Sequence, residues 1–174
     1  MGNPLHIHQR HMLKSKDIKI LIHRLETQLQ IPPDEIKKFL SSKDRVEWIK
    51  LGENQEIYAI NGVLTFWLRD ETFIPLLSFL LQHDLPYHRV KVDQGAIPFV
   101  SKGADVMRPG VIMFDSDIQA GDIVLIEDPQ HQRILSVGQA MYSTTEMETM
   151  TQGKIIKCLH SLIDPIWAFS KSYQ

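Results

Sequence analysis

The chain has 174 residues and a mass of 20.1 kDa, enough for one domain or two small ones. With 43% apolar and 23% charged residues it must bury a core, which excludes a disordered chain, and a formal charge of -2 with a pI near 6.4 excludes a generally basic nucleic-acid binder. A single cysteine, Cys158, excludes an intrachain disulfide and a thiolate metal cluster. The apolar runs are all too short for a membrane span and no signal-peptide pattern opens the chain, so the cytoplasm is expected.

Residues 1–11, MGNPLHIHQRH, carry His6, His8 and His11 ahead of a second methionine, Met12. They read as an added or disordered extension, with no metal role for the histidines. SKDIKILIHRLETQLQI reads as a helix: Ser15 is placed to cap it, and Ile18, Leu21, Ile22, Leu25 and Leu29 form one apolar stripe. Pro32 and Pro33 end it, and a second helix starts there with Asp34 and Glu35 early and Ile36, Phe39 and Leu40 facing in. RVEWIKLG alternates as a strand. In EIYAINGVLTFWL, Asn61-Gly62 between β-rich arms is the strongest hairpin signal of the chain. IPLLSFLLQH reads as a helix stopped by Pro86, which completes a small α+β unit.

The second half is punctuated by glycine. HRVKVDQGAIPFV reads as a strand broken at Gly95, and SKGADVMRPG as a turn-rich connector into VIMF. A turn at residues 119–122 precedes a strand from Ile123 to Ile126, and DPQHQR turns into the strand ILSVGQAMYS. TTEMETM is a short helix with Thr144 or Thr145 as its cap, and GKIIKCLHSL is the last strand. Short strands at this spacing predict a small barrel or sandwich, with the boundary between the halves near residues 85–89.

Catalytic signals are weak. The chain lacks a phosphate loop, HExxH and GxSxG. Cys158 and His160, two apart on a strand, are expected on one face as a structural pair, because a nucleophile needs a base and a third group to orient it. Asp115 and Asp117 flank Ser116 in a turn, where such residues bond the backbone. No cofactor, metal or catalytic residue is expected.

The ordered segments VDQGAIPFVSKGADVMRPGV, IQAGDIVLIED, ILSVGQAMYS and GKIIKCLHSLIDPIW resemble the PUA domain, the RNA-binding module named after pseudouridine synthases and archaeosine transglycosylases. SKDIKILIHRL and INGVLTFWLRDETFIPLL resemble the pre-PUA domain of archaeal proteins similar to the eukaryotic "multiple copies in T-cell lymphoma" protein. The resemblance implies an α+β pre-PUA domain over residues 12–86, a small, mostly-β, PUA-like pseudo-barrel over 87–168 and a tail over 169–174. It implies a noncatalytic RNA-binding protein, cytoplasmic, acting on tRNA, rRNA or the small ribosomal subunit in translation initiation or recycling, beside a translation-factor-like partner. It leaves two other roles open: an accessory RNA-recognition subunit of a tRNA-modifying enzyme such as an archaeosine transglycosylase, and a protein-interaction adaptor.

By the same resemblance the RNA contacts fall on Gly103, Ala104, Asp105 and Val106, with Lys102 and Arg108 beside them. Glycine permits close backbone approach, turn N–H groups can donate to phosphate, and the two cations add charge. Gly103 also reads as a plain turn glycine, and Arg108 as a solvated arginine. Gly138, in SVGQ, reads as a contact or a packing bulge, and Arg89 and Lys91 as a basic stripe on the first strand of this half. Residues 89–167 hold seven Lys or Arg against ten Asp or Glu, so an RNA site must be local. The densest basic run elsewhere, Lys37, Lys38, Lys43, Arg45 and Lys50, is diluted by acids and reads as a solvated surface or a ribosome-facing patch. Trp48 and Trp67 read as core or interface anchors.

Overall fold

Apolar residues at helical spacing, then at strand spacing, build the first half around one sheet. The computed structural model describes residues 5–173. It divides into two compact units, residues 1–86 with 168–174, and residues 87–167.

In the first unit, strands β1 (Gln9–Met12), β2 (Val46–Gly52), β3 (Gln55–Ile60), β4 (Val63–Arg69) and β5 (Thr72–Pro75) pair antiparallel in sequence order. The hairpin at Asn61-Gly62 forms as its sequence predicts. Both residues take positive φ, 51° and 86°, the pairing that matches the twist of the flanking strands. Helix α1 (Ser15–Gln28) buries Ile18, Leu21 and Leu25. Ser15 does not cap it; Lys14 holds that position, and the Ser15 hydroxyl donates to the Ser42 carbonyl at 2.7 Å. Helix α2 (Pro33–Lys37) follows, with Ile36 fully buried. The helix expected over IPLLSFLLQH is a single turn, α3 (Leu77–Leu80), because Ile74 and Pro75 belong to β5. Phe39, Phe66, Phe73 and Phe79 meet edge-on or tilted beneath these helices, with centroids 5.1 to 6.3 Å apart.

For residues 9–11, β1 corrects the expectation of disorder. Gln9 to Met12 pair with Lys50 to Glu47 and cover the edge of β2, while residues 1–4 lie outside the described part. Arg10 fixes the strand further: its Nε and a terminal nitrogen donate to the two Glu47 oxygens at 2.6 and 3.1 Å. Glu47 is only 7% exposed and also accepts from the Tyr173 hydroxyl. The bond from Arg10, more than the opposing effect of burial, holds the Glu47 carboxyl below its ordinary range.

The second unit is a six-stranded mixed sheet. Strands β6 (His88–Val92), β7 (Val106–Met107), β8 (Val111–Phe114), β9 (Ile123–Glu127), β10 (Ile134–Ala140) and β11 (Lys154–Ser161) lie in the order β7-β11-β10-β9-β6-β8. The two edge strands, β7 and β8, are joined by one 3-10 turn, Arg108–Gly110. So short a link brings the sheet's edges back together, which makes the sheet a near-closed pseudo-barrel. Its inside is filled by Val90, Val92, Val106, Val124, Ile126 and Ile156, all 2% exposed or less.

Three expectations change here. AIPFV is not strand: Asp93 Oδ1 accepts from Ala96 N at 2.8 Å and starts the helical turn α4 (Ile97–Val100). Helix α5 (Thr144–Thr149) is capped by Ser143, not by Thr144 or Thr145, in a capping box with Glu146. The tail expected over 169–174 is mostly helix α6 (Pro165–Ser172), which starts where Asp164 Oδ1 accepts from Trp167 N at 2.7 Å with Pro165 in the first turn.

Candidate nucleic-acid interface

The loop that follows α4 is where the resemblance places the contacts, and its backbone is already committed. The N–H groups of Ser101, Lys102, Gly103 and Ala104 donate to the carbonyls of Ile97, Phe99, Val100 and Phe99, all at 3.0 to 3.1 Å. The loop is thus a wound-up end of α4, and Lys102, Gly103 and Ala104 have no backbone donor left for a phosphate. Gly103 is required twice over. Its φ is +89°, and a Cβ there would stand 3.1 Å from the Ser161 hydroxyl on β11. What the loop presents outward is the exposed Lys102 side chain beside a smooth Gly103-Ala104 backbone.

The neighbours of this loop hold it rather than extend it. Asp105 Oδ1 accepts from Cys158 N at 2.7 Å and Oδ2 from Lys154 Nζ at 2.7 Å, which staples the loop to β11. Burial works to raise the Asp105 carboxyl, but Lys154 and the Cys158 N–H outweigh it and hold it below its ordinary range. Val106 points into the core. Arg108 Nε donates to the Met147 carbonyl at 2.8 Å, and its guanidinium lies 5.4 Å from the Phe114 ring centre. Lys102 and Arg108 therefore do different jobs: one faces solvent, the other ties the 3-10 turn to α5.

Gly138 is a packing residue by geometry. A Cβ there would meet Ile156 Cγ2 at 2.4 Å and the Lys157 carbonyl at 3.0 Å. Arg89 and Lys91 share a face of β6, half-exposed between buried Val90 and Val92, as alternation predicts. Arg89 is paired with the buried Glu127. β10 and β9 separate these two from β11, so they do not join the Lys102 loop within the sheet order.

Two lysines escaped the sequence reading. Lys154 and Lys157 are both exposed on β11 and border a cleft of about 340 Å³ with Gly121, Gln139 and Met141. Strict alternation would put them on opposite faces. A register shift between Lys154 and Ile156 breaks it, and the signal was present: Ile155 and Ile156, adjacent and apolar, are both fully buried. A second bulge corrects the Cys158–His160 expectation. Val137 pairs with His160 and Gly138 with Cys158, so Leu159 is the extra residue and the two side chains point to opposite faces. His160, 2% exposed, shares a 2.6 Å bond from Nδ1 with Asp164 Oδ2. Among the described residues no group of three or more His, Cys, Asp or Glu is arranged to hold a metal, and no helix is long and apolar enough to cross a membrane.

Comparison with known proteins decides the lineage. The pre-PUA-like domain matches residues 2–84 and the PUA domain residues 88–162. Translation machinery-associated protein 20 of Saccharomyces cerevisiae is 31% identical over 170 residues, covering 94% of each chain. The chain belongs to this pre-PUA/PUA family. An uncharacterized protein from Methanocaldococcus jannaschii is 33% identical over 95% of this chain and 99% of its own. Malignant T-cell-amplified sequence 1-B of Xenopus laevis is 30% identical over 89% and 88%. A crystal structure of a Pyrococcus horikoshii protein superposes with a TM-score of 0.77 at 31% identity, over 93% of this chain and 99% of that one. These relationships support an RNA-binding role for the chain.

Proposed function

We propose that the chain is a noncatalytic RNA-binding factor of translation, acting in the cytoplasm on tRNA, rRNA or the small ribosomal subunit during initiation or recycling, beside a translation-factor-like partner protein. The observation that carries this reading is the end-to-end relationship to Translation machinery-associated protein 20, which spans both domains. On the second unit, Lys102 meets a phosphate, Gly103 and Ala104 let the sugar-phosphate backbone come close, and Lys157 extends the charge along β11, while Lys154 stays paired with Asp105. Asp105, Val106, Arg108 and Gly138 serve this surface by holding its shape, and Arg89 and Lys91 form a separate, weaker contact on β6. So few exposed cations imply recognition of shape and ends rather than sequence.

The test is binding of tRNA and of the small subunit by the full chain across a salt series. Two lysine–phosphate contacts imply a slope of log affinity on log salt of about -1.5 to -2. A chain that binds neither RNA nor subunit at low salt overturns the reading.

A further inference from the structure

The first unit carries a site of different chemistry. On the helix-facing side of its sheet, His11 on β1 stands opposite Trp48 on β2, and Trp48 opposite Tyr58 on β3. The His11 and Trp48 rings touch, with centroids 4.9 Å apart at 49°. Helix α1 passes beside this row of rings and leaves an open cleft of about 310 Å³. That sits at the small end of ligand pockets, which run from roughly 300 to 1,000 Å³.

Three charged residues line the cleft, Asp17, Arg24 and Glu56. Arg24 is occupied, with its guanidinium 5.2 Å from the Phe73 ring centre. Tyr58, 5% exposed, donates to Glu56 Oε2 at 2.6 Å. Burial, then this bond, push the phenol well above its ordinary range, so the hydroxyl stays a donor and fixes the carboxylate. Asp17, exposed in the first turn of α1, makes no side-chain hydrogen bond or ion pair among the described residues. Beside it Ile20 is 52% exposed, an apolar rim on a helix whose Ile18 is buried and Ile22 half-buried.

A half-exposed ring wall, two carboxylates against one engaged guanidinium, and an apolar rim together fit a long cationic side chain. The ring faces attract a guanidinium or ammonium, and the methylene stem covers apolar surface. We propose that this cleft binds an arginine or lysine side chain from an extended segment of a protein partner, its stem along Trp48 and Ile20 and its head between Asp17 and Glu56. Charge selects protein over RNA here, because a base stacked on Trp48 would bring its own phosphates against two carboxylates.

The test is a titration of the full ¹⁵N-labelled chain with a decapeptide of alternating arginine and glycine, a second of alternating glutamate and glycine, and a decamer of uridylate. The arginine peptide shifts the Trp48 indole and the amides of Asp17, Ile20 and Glu56 saturably, and the other two probes leave them in place. Asp17→Asn, on the surface and safe for folding, weakens the arginine peptide about threefold. Trp48→Leu weakens it about fivefold, with the spectrum reporting whether the fold is intact. Unchanged affinity in Asp17→Asn, shifts driven by uridylate in place of the arginine peptide, or no shift at low salt would each overturn the proposal.

Discussion

The two sheets of this chain solve the same problem by opposite routes. In the first unit every strand pairs with its neighbour in sequence, β1-β2-β3-β4-β5, and from β2 onward each connection is a short local turn, while β1 reaches β2 across two helices. In the second, β7 pairs with β11 and β6 with β9, across dozens of residues, and bulges re-aim the strands where they meet. Glycine shows the difference. Gly62 is needed for its own φ of +86°, with nothing within 4 Å of an added Cβ, whereas Gly138 is needed because Ile156 and the Lys157 carbonyl occupy that space. A meander is written in turn residues; a closing sheet is written in packing between residues far apart.

Substitutions can break that contrast. The largest effect is expected at Gly138→Val, which overpacks β10 against β11 and should cost about 3 kcal/mol or more of the second unit's stability in denaturant unfolding. Gly62→Ala should cost only about 1 kcal/mol, the strain of a left-handed residue. Equal losses at the two positions would abolish the distinction.

The Lys102 loop offers a second, sharper pair. Arg108→Ala removes the bond to the Met147 carbonyl and the contact with Phe114, and should lower stability by about 1–2 kcal/mol in thermal unfolding. Lys102→Ala should leave stability within about 0.5 kcal/mol while it flattens the salt dependence of RNA binding by roughly one contact.

Acid should act on the second unit through Asp164. Burial alone would raise its carboxyl, but His160 and the N–H groups of Trp167 and Ser161 hold it below the ordinary range. A carboxyl depressed in the folded state adds stability that is complete above its unfolded value, about 3.9, and is lost as pH falls through the folded one. The unfolding midpoint of the wild type should therefore drop below about pH 4, and Asp164→Asn should flatten the curve in that window.

What could be read in advance followed the same division. Helix α1 and the Asn61-Gly62 hairpin were legible because periodicity and φ preference act within a few residues. AIPFV was misread as strand because one hydrogen bond from Ala96 N to Asp93 Oδ1, not apolar content, decides that turn. The outward aim of Lys154 and Lys157, and the opposed aim of Cys158 and His160, depend on bulges fixed by partner strands that local sequence does not name. For the loop proposed to face RNA, the turn was legible and the state of its donors was not. Whether the N–H groups of Lys102 to Ala104 are spent depends on how tightly the chain winds at the end of α4. Helix α6 had a readable start in Asp164-Pro165, a cap followed by a first-turn proline.

The short strand β1 keeps the edge of the first sheet from other chains. A variant truncated to begin at Met12 would lack Gln9 to His11, so β2 would show most of a seven-residue edge to solvent and Glu47 would lose its guanidinium. Bare edges recruit strands from other molecules. Loss of β1 should therefore turn β2 into a seed for self-association, read as oligomers in solution.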